Sequence, residues 1–282
     1  MSKDNTKPQQ VSYHLMPAKL WRKLKKHIPK PPKGIKSGRP RVNNRDVING
    51  IWYVLWTGCQ WKAVKREWFC VSSSVLHERF QTWKEAGVFD KLFKIMVKFY
   101  AREHRIGWKW QSVDSKSCAA PLGGVETGKN PTDRGKLGSK IHLLVDEHGA
   151  PLAVYVTGAN QHDKWSVDDL VISIVIKRPY SEQHFCADKG YDYDDVHQVI
   201  QMEGYIDHIK HRRRRNEPKE DECPIPGEAR YPARRWVVER TLSWLVRRRS
   251  IRTRWCKKPS NWLAFVKLAC AHILLLDLAI FG

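Results

Sequence analysis

The sequence predicts a mixed α/β fold behind a small all-α unit. Three observations predict it. Up to residue 107, apolar side chains recur at helical spacing between helix caps. Beyond 107 the pattern becomes alternating, strand-like segments separated by helical ones. A chain with 41% hydrophobic and 28% charged residues can bury a core rather than stay disordered.

Each element has its own signal. Residues 1–17 read as a loose tail. Residues 19–27 suit a short helix ended by Pro29, Pro31 and Pro32. A basic loop leads to a helix capped by Asn44, with Ile48, Ile51, Trp52 and Leu55 on one face and Gly58 as its stop. Ser72 to Ser74 can cap the next helix, which carries Leu76, Phe80 and Trp83 inward and ends at Gly87. A helix from 88 to about 103 turns Phe89, Leu92, Phe93, Met96 and Tyr100 inward. The unit is of helix-turn-helix type. Strands follow at 108–114, 140–146 and 152–156, with a turn at His148-Gly149-Ala150. Then come a helix at 164–177, a strand at 184–187, a helix at 193–203 and a strand at 205–209. A polar loop precedes helices at 235–249 and 259–280. Three strands, helix, strand, helix, strand, helix is the order of a ribonuclease H-like mixed sheet with flanking helices. The division expected is a tail at 1–17, a small helical domain at 18–107 and a ribonuclease H-like domain at 108–282.

Charge narrows the partner. The chain of 282 residues carries a net +22. Residues 1–107 hold 23 Lys/Arg against 7 Asp/Glu, and residues 205–258 hold 17 against 7. The remainder is mildly acidic. Two basic regions around an acidic centre imply a polyanion, and double-stranded DNA fits better than a membrane, because no amphipathic anchor or lipidation motif is present. Seven Cys without a CxxC pair suggest reduced thiols in a cytoplasmic protein. No signal peptide is expected. The apolar stretch at 262–281 is broken by Lys267, His272 and Asp277, so a buried closing helix is expected there.

Three acidic residues carry the chemistry. Asp114 is expected at the end of a strand, Asp188 at the end of another, and Glu239 on a packed helix. Catalytic groups collect at strand ends in open sheets. Three such carboxylates could hold two Mg²⁺ ions, which activate the attacking oxygen and stabilise the leaving one in in-line displacement at phosphorus. Singly, an Asp at a strand end is usually a turn or helix cap, and a Glu in an Arg-rich helix is usually an ion-pair partner.

Their order and flanking words resemble bacterial insertion-sequence transposases of the DDE type, in the group called insertion-sequence family five. The matching words are Val113-Asp114-Ser115, Gly128-Lys129-Asn130-Pro131-Thr132-Asp133-Arg134-Gly135-Lys136-Leu137-Gly138-Ser139-Lys140, Gly158-Ala159-Asn160-Gln161-His162-Asp163, Ala187-Asp188-Lys189-Gly190-Tyr191-Asp192 and Trp236-Val237-Val238-Glu239-Arg240-Thr241. Gly38-Arg39-Pro40-Arg41 and Thr57-Gly58-Cys59-Gln60-Trp61 match as well, so the likeness covers about residues 15–280. The resemblance implies a ribonuclease H-like core and a metal-binding, catalytic triad of Asp114, Asp188 and Glu239. It also implies Mg²⁺-dependent cleavage and joining of DNA, with Mn²⁺ as a substitute. Relatives often place a Tyr three before an Arg, that Arg four before the Glu and a basic residue seven after it. Arg235 fits; Tyr231 and Arg247 are each one residue off, and their roles stay open.

Candidate DNA contacts surround the triad. Arg235, Glu239, Ser243 and Arg247 form a four-spaced series that can turn Glu239 to the metals and both Arg to phosphates; the alternative is an ion-paired face. Asp163 can be an N-cap, while His162 can touch the scissile phosphate or orient a carboxylate. The glycine-rich segment holding Lys129, Arg134, Lys136 and Lys140 suits phosphate contact or a solvated hairpin. Gly38-Arg39-Pro40 resembles a minor-groove hook, with Arg41 beside it, or is a basic linker. The Arg run at 212–215 suits a DNA clamp, and Trp236 and Trp255 suit stacking on an unpaired base. A homodimer is expected from the need to hold two terminal inverted repeats together, with target DNA as the second substrate. A regulator that only binds DNA, and a nuclease without strand transfer, are the competing functions.

Overall fold

The computed structural model describes residues 15–30, 40–103, 106–212 and 234–280. The N-terminal helices follow the caps. α1 (Ala18–Leu24) continues through one 3-10 turn to His27. α2 (Asn44–Thr57) is capped one residue before the expected position: Asn43 has extended backbone and its Oδ1 accepts from Arg45 N at 2.8 Å. Asn44 is already helical, and its Oδ1 instead accepts from Arg79 Nη1 at 3.2 Å, tying α2 to the helix that carries Arg79. Gly58 ends α2 at φ 65°, a left-handed conformation that favours glycine. After α3 (Arg66–Phe69), α4 (Ser73–Glu85) is capped by Ser72, and α5 (Val88–Glu103) buries every apolar residue expected to face inward.

Six strands make one sheet. They are β1 (Trp110–Ala119), β2 (Gly128–Lys129), β3 (Leu137–Asp146), β4 (Pro151–Gly158), β5 (His184–Ala187) and β6 (Ile206–Ile209). β3 is antiparallel to β1, β4 and β2. β5 lies parallel to β1, and β6 parallel to β5. The sheet is therefore the mixed, ribonuclease H-like one predicted, lengthened by the two-residue β2, which is too short to leave a periodic signal. A Cβ at Gly128 would overlap Asn160 Oδ1, so glycine is what lets β2 approach the end of β4.

Two helices are shorter than their periodicity suggests. In place of one helix at 164–177, a 3-10 turn (Asp163–Ser166) leads into α6 (Val167–Ile172). Ser173 Oγ donates to Leu170 O and closes that end. α7 (Asp194–Met202) matches expectation. The helix expected at 235–249 splits into α8 (Trp236–Val246) and α9 (Arg249–Arg252). The break falls at Arg248, which is 3% exposed and turns its guanidinium inward, to Trp244 O at 2.7 Å and His272 Nδ1 at 2.8 Å.

α10 (Pro259–Ile280) is the common support. It is long and apolar enough to cross a membrane, yet most of it is buried in the protein, against α5, β4 and α8. Trp262, Phe265 and Leu268 are buried on it, and Phe265 stacks on Phe80 of α4 at 4.7 Å. The N-terminal helices and the sheet thus share one apolar cluster through α10. The six described cysteines are free thiols.

One buried arginine staples the far edge. Arg254, 1% exposed, donates to Val125 O, Glu126 O, Ser139 Oγ, Cys256 O and Lys257 O, all within 2.6–2.9 Å. Its backbone N donates to Ala119 O at 2.7 Å. Removing the side chain strands several part-buried carbonyls at once. Arg254→Ala should therefore destabilise the protein by about 3 kcal/mol or more in a urea melt. A loss below about 1 kcal/mol would contradict this role.

Candidate active site

Strand register brings the first two carboxylates together. In the parallel pair, Ser112 of β1 faces Cys186 of β5. Asp114 and Asp188 each follow two residues later, at the same end of the sheet. Asp114 does not end its strand, contrary to expectation. β1 runs on to Ala119, paired with β3, while β5 stops at Ala187. What ends beside Asp114 is the pairing to β5, and that opens a cleft there. Asp188 then caps the following 3-10 turn, accepting from Lys189 N at 2.5 Å.

The third carboxylate comes from α8. Val237, Val238, Thr241, Leu242 and Leu245 face the sheet and are buried. Arg235, Glu239, Ser243 and Arg247 form the uncovered face that their spacing predicts. Two hydrogen bonds fix the helix along the sheet. Ser112 Oγ donates to Arg234 O at 3.2 Å, and Thr241 Oγ1 donates to Gly149 O at 2.7 Å.

Arg235 links the acidic groups. Its Nη1 lies 3.4 Å from Asp188 Oδ1 and its Nη2 lies 3.3 Å from Glu239 Oε1. Burial pushes the Asp114 carboxyl up to about 6; the Ser115 N–H opposes this, Glu239 adds to it, Arg235 opposes it and Asp163 adds to it. Among the described residues, no three His, Cys, Asp or Glu side chains are grouped at metal-ligating spacing. The donor set itself suits a hard divalent cation: it is all oxygen, and the charge of Glu239 already reaches Asp114.

A second set of residues lies behind the cleft. Asp163 is not the N-cap; His162 is, its Nδ1 accepting from Lys164 N at 3.3 Å. Asp163 instead pairs with Lys140 at 2.9 Å. Lys140 also donates to Gln161 O and keeps only 12% of its side chain exposed. Buried His142 joins Thr157 and Ser166 beside them, and burial lowers it to about 4, so it is neutral near neutral pH. Burial, with the negative charges of Asp163, Asp114 and Asp188, drives the Tyr191 hydroxyl far above its ordinary range. His197 bridges Asp192 and Asp207, and Arg212 N donates to Asp192 at 2.7 Å. Apart from the local cap at His162, these partnerships join separate elements and so have no spacing signal in the sequence.

The expected DNA contacts fall in different places. Arg39 lies outside the described residues, as do residues 213–215 and Tyr231. Arg41 and Arg247 are exposed. Lys136 is exposed and 3.4 Å from Asp133. His162 Nε2 is 3.1 Å from Tyr193 Oη, and burial lowers its pKa, so a contact from it would be a hydrogen bond rather than a charge. Trp236 and Trp255 are 59% and 49% exposed, so both rings offer a face to solvent.

Comparison with known proteins bears on this cleft. Residues 111–274 match the family described as "Transposase DDE domain", and residues 16–93 match one described as "Putative transposase of IS4/5 family". A Burkholderia cepacia protein named "Putative transposase for insertion sequence element IS402" is 34% identical over 170 residues, covering 57% of this chain and 72% of that protein. A second from that organism, "Insertion element IS402 uncharacterized 16.2 kDa protein", is 33% identical over 103 residues, covering 36% and 70%. Among solved structures, a piggyBac transposase synaptic complex with hairpin DNA aligns at a TM-score of 0.47 and 12% identity, covering 87% of this chain and 69% of that one.

The raised Asp114 pKa has a stability consequence. An ordinary Asp ionises near ~3.9. The folded state therefore holds a proton that the unfolded chain releases, and that stabilisation is full below about 4 and lost as pH rises through about 6. Asp114→Asn should melt higher than the parent at pH ~7 in EDTA, by about 1–3 kcal/mol, and the gap should close near pH ~4. Equal melting at both pH values would show that the carboxyl is not strained by its surroundings.

Proposed function

The chain belongs to the DDE transposase family, and we propose that it binds the terminal inverted repeats of an insertion sequence, cleaves them and joins the 3′-OH to target DNA. The observation that carries this reading is the meeting of Asp188 and Glu239 on Arg235 beside Asp114, at the end of the β1–β5 pairing. In the proposal Asp114, Asp188 and Glu239 hold the metal ions. Bound Mg²⁺, or Mn²⁺ in its place, would activate the attacking oxygen and stabilise the leaving one at phosphorus. The protein's own part is to aim three oxygen donors at one cleft. Ser112 and Thr241 hold α8 for that purpose, and the Lys140–Asp163 pair stands beside Asp114.

DNA is gripped by the basic regions. Lys19, Arg22, Lys23, Lys25 and Lys26 line one concavity of about 530 Å³ with Met96 and Phe99. Lys23 Nζ sits 4.7 Å from the Phe99 ring centre, so an apolar floor supports the cations. That surface supports a sequence-independent phosphate grip by residues 18–107, with Arg39 and Arg41 as further contacts. Lys136, Lys140, His162, Arg235 and Arg247 are proposed to contact DNA nearer the cleft. A homodimer in a bacterial cytoplasm would hold two ends together.

Two measurements test the reading. Asp114→Asn, Asp188→Asn and Glu239→Gln should each abolish cleavage and joining while DNA binding stays within about threefold. Ca²⁺, with its looser geometry, should support binding but not cleavage. Substantial cleavage by any of the three variants would remove that residue from the centre, and hydrolysis of pre-cut ends without joining would make the protein a nuclease. Separately, changing Lys19, Lys23 and Lys26 to Ala should flatten the salt dependence of DNA binding, by about 0.9 in log–log slope for each phosphate that is no longer neutralised. An unchanged slope would move the grip elsewhere.

A further inference from the structure

Arg235 occupies a position that the proposed chemistry does not explain. A guanidinium meant only for DNA would project from α8 into solvent. Here it reaches two carboxylates from different elements, 3.4 Å from Asp188 Oδ1 and 3.3 Å from Glu239 Oε1. These are two of the three groups assigned to the metal ions. The third, Asp114, also lies in its field. Arg cannot shed its proton to leave such a site. It can only rotate away, and its surroundings leave room for that: 41% of its side chain is exposed, and it stands at the N-cap of α8.

We infer that Arg235 is a resident counter-cation that holds Asp188 and Glu239 until DNA draws it away, so that DNA loading and metal loading are coupled. The inference rests on the metal-binding reading of the three carboxylates. Its physics is competition. A guanidinium and a divalent cation both claim the same oxygens, so each weakens the other's hold. A DNA phosphate can engage both arms of a guanidinium at once. Once Arg235 turns to a phosphate, Asp188 and Glu239 are left as bare, repelling donors, and their affinity for a cation rises. By reciprocity, metal bound first must strengthen the DNA contact of Arg235. The device keeps the cleft from filling with metal before an end is in place.

The test is a Mn²⁺ titration of the full chain, read by calorimetry or by Mn²⁺ electron paramagnetic resonance, with and without end DNA. DNA binds Mn²⁺ itself, so each titration is differenced against Asp188→Asn under the same conditions. Without DNA, Arg235→Gln should bind Mn²⁺ about fivefold or more tightly than the parent. Adding DNA should raise the parent's Mn²⁺ affinity by a similar factor and leave that of Arg235→Gln nearly unchanged. Arg235→Lys, which keeps the charge but cannot bridge two carboxylates, should fall between them. Equal or weaker Mn²⁺ binding by Arg235→Gln without DNA would overturn the inference, since Arg235 would then order the carboxylates for metal instead of withholding them. If Arg235→Gln misfolds by circular dichroism, the Lys variant carries the test: Mn²⁺ affinity no higher than the parent's would overturn it. Asp188→Asn separates the two levels. If it abolishes Mn²⁺ binding while Arg235→Gln and Arg235→Lys change nothing, only this inference fails. If it leaves Mn²⁺ binding intact, the metal-binding reading fails and takes this inference with it.

Discussion

Like charges crowded at the end of a sheet must be compensated, and this constraint organises the cleft. Asp114 lies within one strand, Asp188 just past the end of another and Glu239 on a helix. Burial, with the charge of Glu239 added, lifts Asp114 to about 6. Arg235 offsets part of the repulsion by meeting the other two. The backbone does the rest. Ser115 N–H and Lys189 N–H each donate to the aspartate before them. At Asp114 that bond favours the ionised form and so opposes the effect of burial.

Everything that carries these groups is fixed by buried polar contacts, not by apolar packing alone. α8 is slid into place by Ser112 and Thr241, whose hydroxyls find backbone carbonyls on α8's own N-terminal side and on the β3–β4 turn. Asp146 closes that turn, accepting from His148, Ala150 and Gly107 N–H groups while fully buried. Arg248 and Arg254 do the same work behind α9. A buried guanidinium bonded to more than one acceptor is geometrically demanding, so these residues specify one arrangement of α8, α9 and α10. α10 supplies the apolar support for that arrangement, reaching the N-terminal helices on one side and the sheet on the other.

How much of this is legible in the sequence follows from the range of each interaction. Helix caps and faces are local, so α2, α4 and α5 are readable to within a residue or two. Asn43 caps α2 in place of Asn44 because two adjacent Asn can both cap, and only the contact from Arg79 decides between them. Strand identity is readable too, but the polar run after Asp114 lacks apolar alternation and so reads as a strand end. β1 continues there because β3 pairs with it, which no local pattern reports. The helix expected at 164–177 and the single helix expected at 235–249 are overlong for a related reason: hydrogen bonds of Ser173 and Arg248 end or break them. The three carboxylates are found by order and flanking words. Arg235 is found by its four-residue spacing from Glu239, but its bridge to Asp188 crosses from helix to strand end and has no sequence signature. Arg254, with five side-chain hydrogen bonds at the sheet's far edge, gives no signal at all.

The split of charge along the chain then acquires a physical meaning. A net +22 would suffice to hold DNA anywhere on a uniformly basic surface, but the sheet segment between the basic regions is acidic. A phosphate backbone approaching the cleft would therefore meet repulsion from the same carboxylates that are proposed to serve it. The flanking cations, exposed and screened by salt, can supply the approach energy over a distance of about a Debye length. They cannot remove the repulsion at contact, which acts within a few ångströms and is only partly screened. That task falls to charges inside the cleft, and among the described residues Arg235 is the one seen bridging two of the three carboxylates. Grip and chemistry are hence separate electrostatic problems in this fold, solved by different residues. In the proposed reading the first is spread over many Lys and Arg, and the second is concentrated in a few groups, where one substitution changes the balance.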